Sequence, residues 1–343
     1  QTLVATKASR VKSAAGEGTV LEFGLRRAQG VDGALAASRA AYLGGCEATS
    51  NALAGKLYEI PVRGTHAHSW VMSFDSELEA FRAYARTYPD SCTLLVDTYD
   101  TLASGVPNAV TVGRELAEAG HTLSGIRLDS GDLAGLAKES RKLLDEGGLR
   151  ATKIVASNDL DEHEIVRLKT LGAPIDVWGV GTNLVTCKDD PALGGVYKLA
   201  ASGRDLTPRI KRSANPAKTT IPGLKQVYRF RDGEGFVLGD LISLESESAP
   251  EEGVAVAFHD PLQSEEPVPI LGARLKPLLK RVMDDGKRLY LEEPLALSRE
   301  RALAELATLP LSLRALQGAA IYRVGLSSAL ATLRREMLET AGK

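Results

Sequence analysis

The sequence predicts an α/β fold: a (β/α)8-type irregular barrel followed by a second, smaller α+β domain. Short apolar runs alternate with helical patterns from about residue 19 to 200, which is typical of a parallel sheet covered by helices. Eight such strand–helix cycles can be counted, as in a closed barrel. Beyond residue 202 the pattern changes to alternating strands. We therefore expect a barrel domain over 1–202 and an α+β region over 203–343.

Each predicted strand is short, apolar and followed by a turn rich in Gly, Asp or Asn. The predicted strands cover residues 19–24, 47–50, 61–65, 92–97, 124–129, 153–157, 176–180 and 195–200. Helix start signals lie between them, such as the capping box of Ser76 and Glu79 and the pair Asp161 and Glu164. In such barrels the reactive residues lie at the carboxyl ends of the strands, so this edge is where we expect a site.

The second domain has two sequence signals of its own. Residues 226–244 alternate around Asp232 and Gly233, which predicts a hairpin. The Pro-rich stretch 259–270 is predicted to be a linker, and helices follow it.

Composition excludes several classes of protein. The 343 residues are 44% hydrophobic and 25% charged, with a net charge of −2, as in an ordinary soluble globular protein. No basic, aromatic-interleaved stretch indicates a nucleic-acid partner, and no apolar run has the length of a membrane span. Three widely spaced cysteines and the lack of a signal sequence predict a cytoplasmic protein. Because the sequence begins at Gln1, inside a predicted helix, we expect an N-terminal portion to be absent from it.

Polar residues cluster at seven of the predicted strand ends. The clusters cover residues 24–30, 49–51, 64–69, 97–101, 127–132, 157–161 and 179–183. Any one of them could be a helix cap or a solvated turn, and only their joint placement indicates a site. Arginine forks and a Gly-Thr turn after a strand suit the phosphate or carboxylate of an anionic ligand. Carboxylates at neighbouring strand ends could accept from its sugar hydroxyls or hold a hydrated Mg²⁺. The residues with this chemistry are Arg26, Arg27, Arg127, Gly181, Thr182, Asp129 and Asp159.

His66 and His68 lie one residue apart at a predicted strand end. This spacing fits a metal-binding pair, a general base or a phosphoryl carrier. A zinc hydrolase would need further ligands from later strands. The other histidines, at positions 121, 163 and 259, do not lie at predicted strand ends, which argues against a zinc site.

The motifs "EFGLRRAQG", "GTHAHSW", "LLVDTYDT", "GIRLDSGDL" and "GVGTNLVT", in this order, resemble the nicotinate phosphoribosyltransferase family. The resemblance runs from residue 1 to about 225 and more loosely to the C-terminus. It implies a type II phosphoribosyltransferase-like fold and a longer N-terminal segment in the family. It also implies ATP-coupled conversion of nicotinate and 5-phosphoribosyl-1-pyrophosphate into nicotinate mononucleotide and pyrophosphate, in a homodimer. Mg²⁺ would enter with the substrate pyrophosphate rather than at a site made by protein alone.

The resemblance also implies roles for individual residues. His68 matches the histidine that ATP phosphorylates, whereas His66 lies where the motif varies. Arg127 and Thr65 match positions that hold nicotinate. Arg26 would line the base pocket, and Lys198 would contact pyrophosphate across a subunit interface. Asp129 and Asp159 would contact the ribose, and Asp129 is also predicted to be catalytic. Gly181 and Thr182 would bind the phosphoribosyl group.

Asn51 is predicted to favour the acid substrate. The related nicotinamide-using enzyme has an aspartate aligned there, which would repel the carboxylate of nicotinate. A nicotinamide- or quinolinate-using phosphoribosyltransferase and a non-catalytic metabolite-binding barrel remain alternatives.

Overall fold

A curled parallel sheet of six short strands organises the first part of the chain. The strands are β1 (Thr19–Glu22), β2 (Ala48–Thr49), β3 (Thr93–Leu95), β4 (Gly125–Leu128), β5 (Lys153–Ala156) and β6 (Val177–Val180). Their order is β2-β1-β6-β5-β4-β3, and every pairing is parallel. All four residues of β6 are buried, as expected for a parallel strand covered on both faces.

The computed structural model describes residues 1–262, 266–290 and 292–340. It divides into two units. The first contains residues 1–193 and 294–303, and the second contains residues 194–293 and 304–343.

Nine α-helices precede residue 194. They are α1 (Thr2–Ala15), α2 (Gly30–Leu43), α3 (Ala52–Tyr58), α4 (His68–Met72), α5 (Glu77–Thr87), α6 (Val106–Glu118), α7 (Leu133–Glu146), α8 (Glu162–Thr170) and α9 (Thr182–Val185). Two predicted caps are confirmed, since the Ser76 hydroxyl accepts from the Glu79 N–H and the Asp161 carboxylate accepts from the first turn of α8. Within the described ranges, no helix has the length and apolar character needed to cross a membrane.

The predicted α/β class, with a curled parallel sheet and a second sheet-rich domain, is confirmed. Two of the eight predicted strands differ. Residues 61–65 make only a single bridge, between Thr49 and Val62. Residues 195–200 belong to no strand, and the apolar side chains of Val196, Tyr197 and Leu199 are exposed. The sheet has no free edge at β6 for an eighth strand, because β6 already pairs with β1 and β5.

A side-chain hydrogen bond, instead of strand pairing, connects the segment after residues 61–65 to β3. The Nε2 atom of His66 accepts a hydrogen bond of 3.1 Å from the backbone N–H of Leu95 in β3. An unpaired buried N–H is costly, so the imidazole satisfies a group that a paired strand would otherwise satisfy.

The second unit is built on a four-stranded sheet. Its order is β13-β9-β10-β16. The strands after residue 200 are β7 (Ala201–Ser202), β8 (Thr207–Pro208), β9 (Lys225–Arg231), β10 (Val237–Leu244), β11 (Ala255–Phe258), β12 (Val268–Leu271), β13 (Arg274–Pro277), β14 (Met283–Asp284), β15 (Lys287–Arg288) and β16 (Val324–Leu326). The remaining helices are α10 (Leu295–Ala307), α11 (Leu311–Arg314) and α12 (Ser328–Thr340).

The predicted hairpin is confirmed, since β9 and β10 pair antiparallel around a turn in which Asp232 accepts from two N–H groups. Phe230 and Phe258 meet edge to face in the core of this unit. Residues 263–265 of the predicted linker lie outside the described residues. The end of that linker instead forms β12, which pairs with β11.

The three cysteines are buried free thiols. Burial raises the pKa of Cys92 to about 12 and also raises the pKa values of Cys46 and Cys187. Thiols with raised pKa values are poor nucleophiles at neutral pH, so we assign these residues a packing role.

Candidate active site

Arg127, in β4, lies at the centre of the polar cluster at the carboxyl edge of the sheet. Its guanidinium donates to the hydroxyls of Ser157 and Thr65 and to the carboxylate of Asp129, each at 2.8 Å. The carbon of the guanidinium lies 5.3 Å from the centre of the Phe23 ring, a cation–π distance. A guanidinium has five N–H donors, so three partners leave two donors for a ligand.

Ser157 directly follows β5 and connects the two charged groups. Its hydroxyl accepts from the Nε of Arg127 and donates to Asp129, while the residue itself is buried. The ion pair between Arg127 and Asp129 is mostly shielded from solvent. The fork of Arg127 is therefore held rigidly before any ligand arrives, which is the condition for strong recognition of a planar anion.

His68 is the first residue of α4 and faces a buried carboxylate. Its Nε2 lies 3.0 Å from Oδ1 of Asp97, whose side chain is 2% exposed, whereas that of His68 is 40% exposed. The other oxygen of Asp97 accepts from the N–H of Asp129 at 2.8 Å and from the hydroxyl of Ser130 at 2.6 Å. A carboxylate only accepts, so Nε2 carries the proton and Nδ1 keeps its lone pair.

His66 has a different environment from His68. It is buried and packs edge-on against Tyr84, with ring centres 4.8 Å apart. Burial lowers its pKa to about 4. Since Nε2 accepts from Leu95, the neutral ring carries its proton on Nδ1. Within the residues that the structure describes, no group of three or more His, Cys, Asp or Glu side chains is placed to hold a metal ion.

A second polar cluster surrounds Glu22 at the end of β1. Glu22 is 1% exposed, and its carboxylate accepts from the N–H of Gly24 and from the hydroxyls of Ser38 (2.8 Å) and Thr49 (2.5 Å). Asn51 is 3% exposed; its amide oxygen caps α3 and its NH₂ donates to Ser38 at 3.2 Å. The structure thus commits both ends of the Asn51 amide to contacts within the protein.

The turns after β5 and β6 form the third part of this edge. Asp159 is exposed and has a φ of +43°, following Asn158 at +94°. Gly181 and Thr182, both half-buried, lie at the start of α9. The amide of Asn183 donates to the backbone carbonyl of Asp159 at 2.8 Å and so connects the two turns.

Two further predicted contacts have exposed side chains. Arg26 is exposed in a 3₁₀ turn that covers Leu25–Arg27, at the end of β1. Lys198 is exposed in a segment of the second unit that belongs to no helix or strand. The predicted roles of both residues stay predictions.

The structure therefore brings Thr65, Arg127 and Asp129 into direct contact and connects His68 to them through Asp97. The strand-end clusters predicted from the sequence include Asp97, Ser130, Ser157 and Asn183, but sequence reasoning gave none of these four an individual role and none to Phe23. Asp97 and Ser157 are the last residues of predicted strands, a position that would have identified them as candidates.

Family models and curated relatives match most of this chain. Residues 19–199 match the model of the nicotinate phosphoribosyltransferase (NAPRTase) family, and residues 224–334 match the nicotinate phosphoribosyltransferase C-terminal domain. Nicotinate phosphoribosyltransferase of Bacillus subtilis (strain 168) is 52% identical over 76% of this chain, and the human enzyme is 38% identical over 96%. The chain spans 53% of the length of the Bacillus subtilis protein and 71% of the human protein.

Two solved structures extend the comparison. The crystal structure of human nicotinic acid phosphoribosyltransferase superimposes with a TM-score of 0.84 at 34% identity, covering 97% of this chain and 73% of that one. The nicotinate-nucleotide pyrophosphorylase of Pyrococcus furiosus shares the fold, with a TM-score of 0.64 at 22% identity, covering 89% of this chain and 69% of the other. From its motifs, its fold and these matches, the chain belongs to the nicotinate phosphoribosyltransferase family.

Proposed function

We propose that the protein is a nicotinate phosphoribosyltransferase. It transfers the phosphoribosyl group of 5-phosphoribosyl-1-pyrophosphate to the ring nitrogen of nicotinate, and the transfer is coupled to ATP hydrolysis. The observation that carries this proposal is the Arg127 fork, held by Thr65, Ser157 and Asp129 in a chain of this family. Its remaining donors suit the planar carboxylate of nicotinate, which would bind as a charge-assisted pair.

The sugar is held at the neighbouring turns. Asp129 and Asp159 accept from ribose hydroxyls, and Gly181 with Thr182 binds the 5-phosphate. Transfer of the ribosyl carbon passes through an oxocarbenium-like state, for which positioning and electrostatic stabilisation contribute most of the rate. The carboxylate of Asp129 stabilises the positive charge that develops on the sugar, which is its catalytic role in this proposal.

His68 carries the phosphoryl group. Its Nδ1 lone pair attacks the γ-phosphorus of ATP, the bond to the ADP oxygen breaks, and a phosphohistidine forms. Asp97 keeps its hydrogen bond to Nε2–H and so orients the ring and stabilises its positive charge. Water later hydrolyses the phosphohistidine to histidine and phosphate, so that ATP is converted to ADP and phosphate overall.

Mg²⁺ supplies charge neutralisation for the pyrophosphate. It is a hard cation that prefers oxygen ligands and commonly binds through substrate phosphates with one or two carboxylates. The exposed carboxylate of Asp159 is chemically suited to such a contact. We further propose that Arg26 lines the base pocket, that Lys198 contacts pyrophosphate across a homodimer interface, and that the protein works in the cytoplasm.

The test is an assay of the purified protein with 5-phosphoribosyl-1-pyrophosphate and Mg²⁺. Nicotinate, nicotinamide and quinolinate are compared with and without ATP, and the mononucleotides are separated by chromatography. We expect nicotinate to have the highest kcat/KM, and ATP to increase its use. A higher kcat/KM with nicotinamide or quinolinate would replace the proposed substrate. Binding without turnover of any of the three would favour a non-catalytic metabolite-binding protein.

A further inference from the structure

The turn that presents Asp159 has an unusual backbone. It joins β5 to α8, and two consecutive residues in it, Asn158 and Asp159, have φ values of +94° and +43°. Residues other than glycine adopt this region rarely, although Asn and Asp tolerate it better than most. Such a conformation persists only where surrounding contacts hold it.

Asn183 supplies a contact of this kind. It is 5% exposed, and its Nδ2 donates to two successive carbonyls of the turn, those of Asp159 (2.8 Å) and Leu160 (3.2 Å). Asn183 follows β6, the strand that pairs with β5. One side chain therefore fixes the turn after β5 to the turn after β6.

We propose that Asn183 is a positioning residue for 5-phosphoribosyl-1-pyrophosphate. The proposal rests on the function proposed above, in which Asp159 binds the ribose and Gly181 with Thr182 binds the phosphate of the same molecule. A ligand that spans two turns binds more tightly when their separation is fixed beforehand. Asn183 acts through the position of Asp159 and leaves the nicotinate contacts of Arg127, on β4, unchanged.

The substitutions Asn183→Ala and Asn183→Asp test this role. The aspartate has nearly the same shape but replaces the NH₂ donor by an acceptor that faces two carbonyl oxygens. We expect the KM for 5-phosphoribosyl-1-pyrophosphate to rise roughly 10-fold, the factor that corresponds to about 1.4 kcal/mol. The loss should be larger for the aspartate, whereas the KM for nicotinate should change little.

Asn108→Ala is the matched control. Asn108 is a half-buried asparagine of α6 whose amide donates to Glu77 at 2.8 Å, so its removal also deletes a side-chain hydrogen bond. We expect thermal stability to fall in this variant while the KM for 5-phosphoribosyl-1-pyrophosphate stays at the wild-type value.

A double-mutant cycle separates positioning from general stability. In an Asp159→Ala background, Asn183→Ala should add no further rise in KM, because the group that it positions is gone. Asn158→Gly should partly restore the KM of Asn183→Ala, because glycine adopts a φ of +94° without strain.

Different outcomes overturn the two proposals. A wild-type protein that fails to form nicotinate mononucleotide overturns the proposed function. An active wild type whose KM is unchanged by Asn183→Ala and Asn183→Asp overturns the role of Asn183 alone. Additive losses in the Asp159→Ala background would also overturn it.

Discussion

Two clusters at the same edge of one sheet differ in how many hydrogen-bonding groups they leave free. Around Glu22 the carboxylate, the hydroxyls and the Asn51 amide bind one another, and the cluster is almost fully buried. Around Arg127 the guanidinium is held on three sides and keeps two donors, while the nearby His68 is partly exposed. The same polar residue types at strand ends thus occur in a structural cluster and in a binding site. Hydrogen-bond donors without a protein partner distinguish the binding site from the structural cluster.

The largest expected effect is that of replacing His68, which lies near the partly exposed cluster around Arg127. His68→Ala should abolish phosphorylation of the protein and ATP hydrolysis, because the Nδ1 nucleophile is lost, while slow transfer without ATP remains. Acid-labile phosphate from labelled ATP measures this. His121→Ala is the control, since His121 pairs with the exposed Asp90 instead. Undiminished phosphorylation of His68→Ala would assign the phosphoryl group to another residue.

Arg127→Ala should lower kcat/KM for nicotinate between roughly 10- and 100-fold, since a charge-assisted hydrogen bond contributes about 1.5–3 kcal/mol. Nicotinamide, which has no carboxylate, should lose less. Arg82→Ala is the control, because Arg82 makes a bidentate ion pair with Glu115 on the exposed surface. Equal losses for acid and amide would show that Arg127 binds another part of the substrates.

His66 predicts a pH dependence of stability. Its folded pKa, about 4, lies below its ordinary value of 6.5. The unfolded chain therefore binds the proton more readily, so the stabilisation is complete above pH 6.5 and is lost as the pH falls towards 4. The difference amounts to about 3 kcal/mol at most. Urea unfolding of the wild type and His66→Gln should show it, because glutamine can accept from Leu95 without titrating. Identical pH profiles would contradict the assignment.

The last prediction distinguishes the buried cluster around Glu22 from the cluster around Arg127. Asn51→Asp removes the NH₂ that donates to Ser38 and brings a second carboxylate towards Glu22. We expect the free energy of unfolding to fall by about 1–3 kcal/mol, with the ratio of kcat/KM for nicotinate and nicotinamide unchanged. A selective loss of nicotinate use would instead support Asn51 as the residue that selects the acid substrate.

The sequence was informative where local signals decide the structure. Apolar periodicity predicted six of the strands, and the caps at Ser76 and Asp161 were read from spacing alone. The apolar stretch 195–200 resembled a strand equally well, but pairing depends on whether the sheet has a free edge, which is a property of topology.

The roles of the site residues were also only partly predictable from local sequence signals. The motif with two histidines was visible, yet only burial and partners separate His66, which satisfies a backbone N–H, from His68, which faces Asp97. Asp97 and Ser157 act through contacts with residues 28 to 33 positions away along the chain. Local spacing carries no information on such contacts.

The buried thiols give the protein a practical property. Because Cys46, Cys92 and Cys187 are shielded and have raised pKa values, maleimides should leave them unmodified in the folded state. A cysteine introduced at an exposed position, such as Tyr99 in the turn after β3, would then be the one reactive group. A fluorophore attached there could report substrate binding without the replacement of any native cysteine.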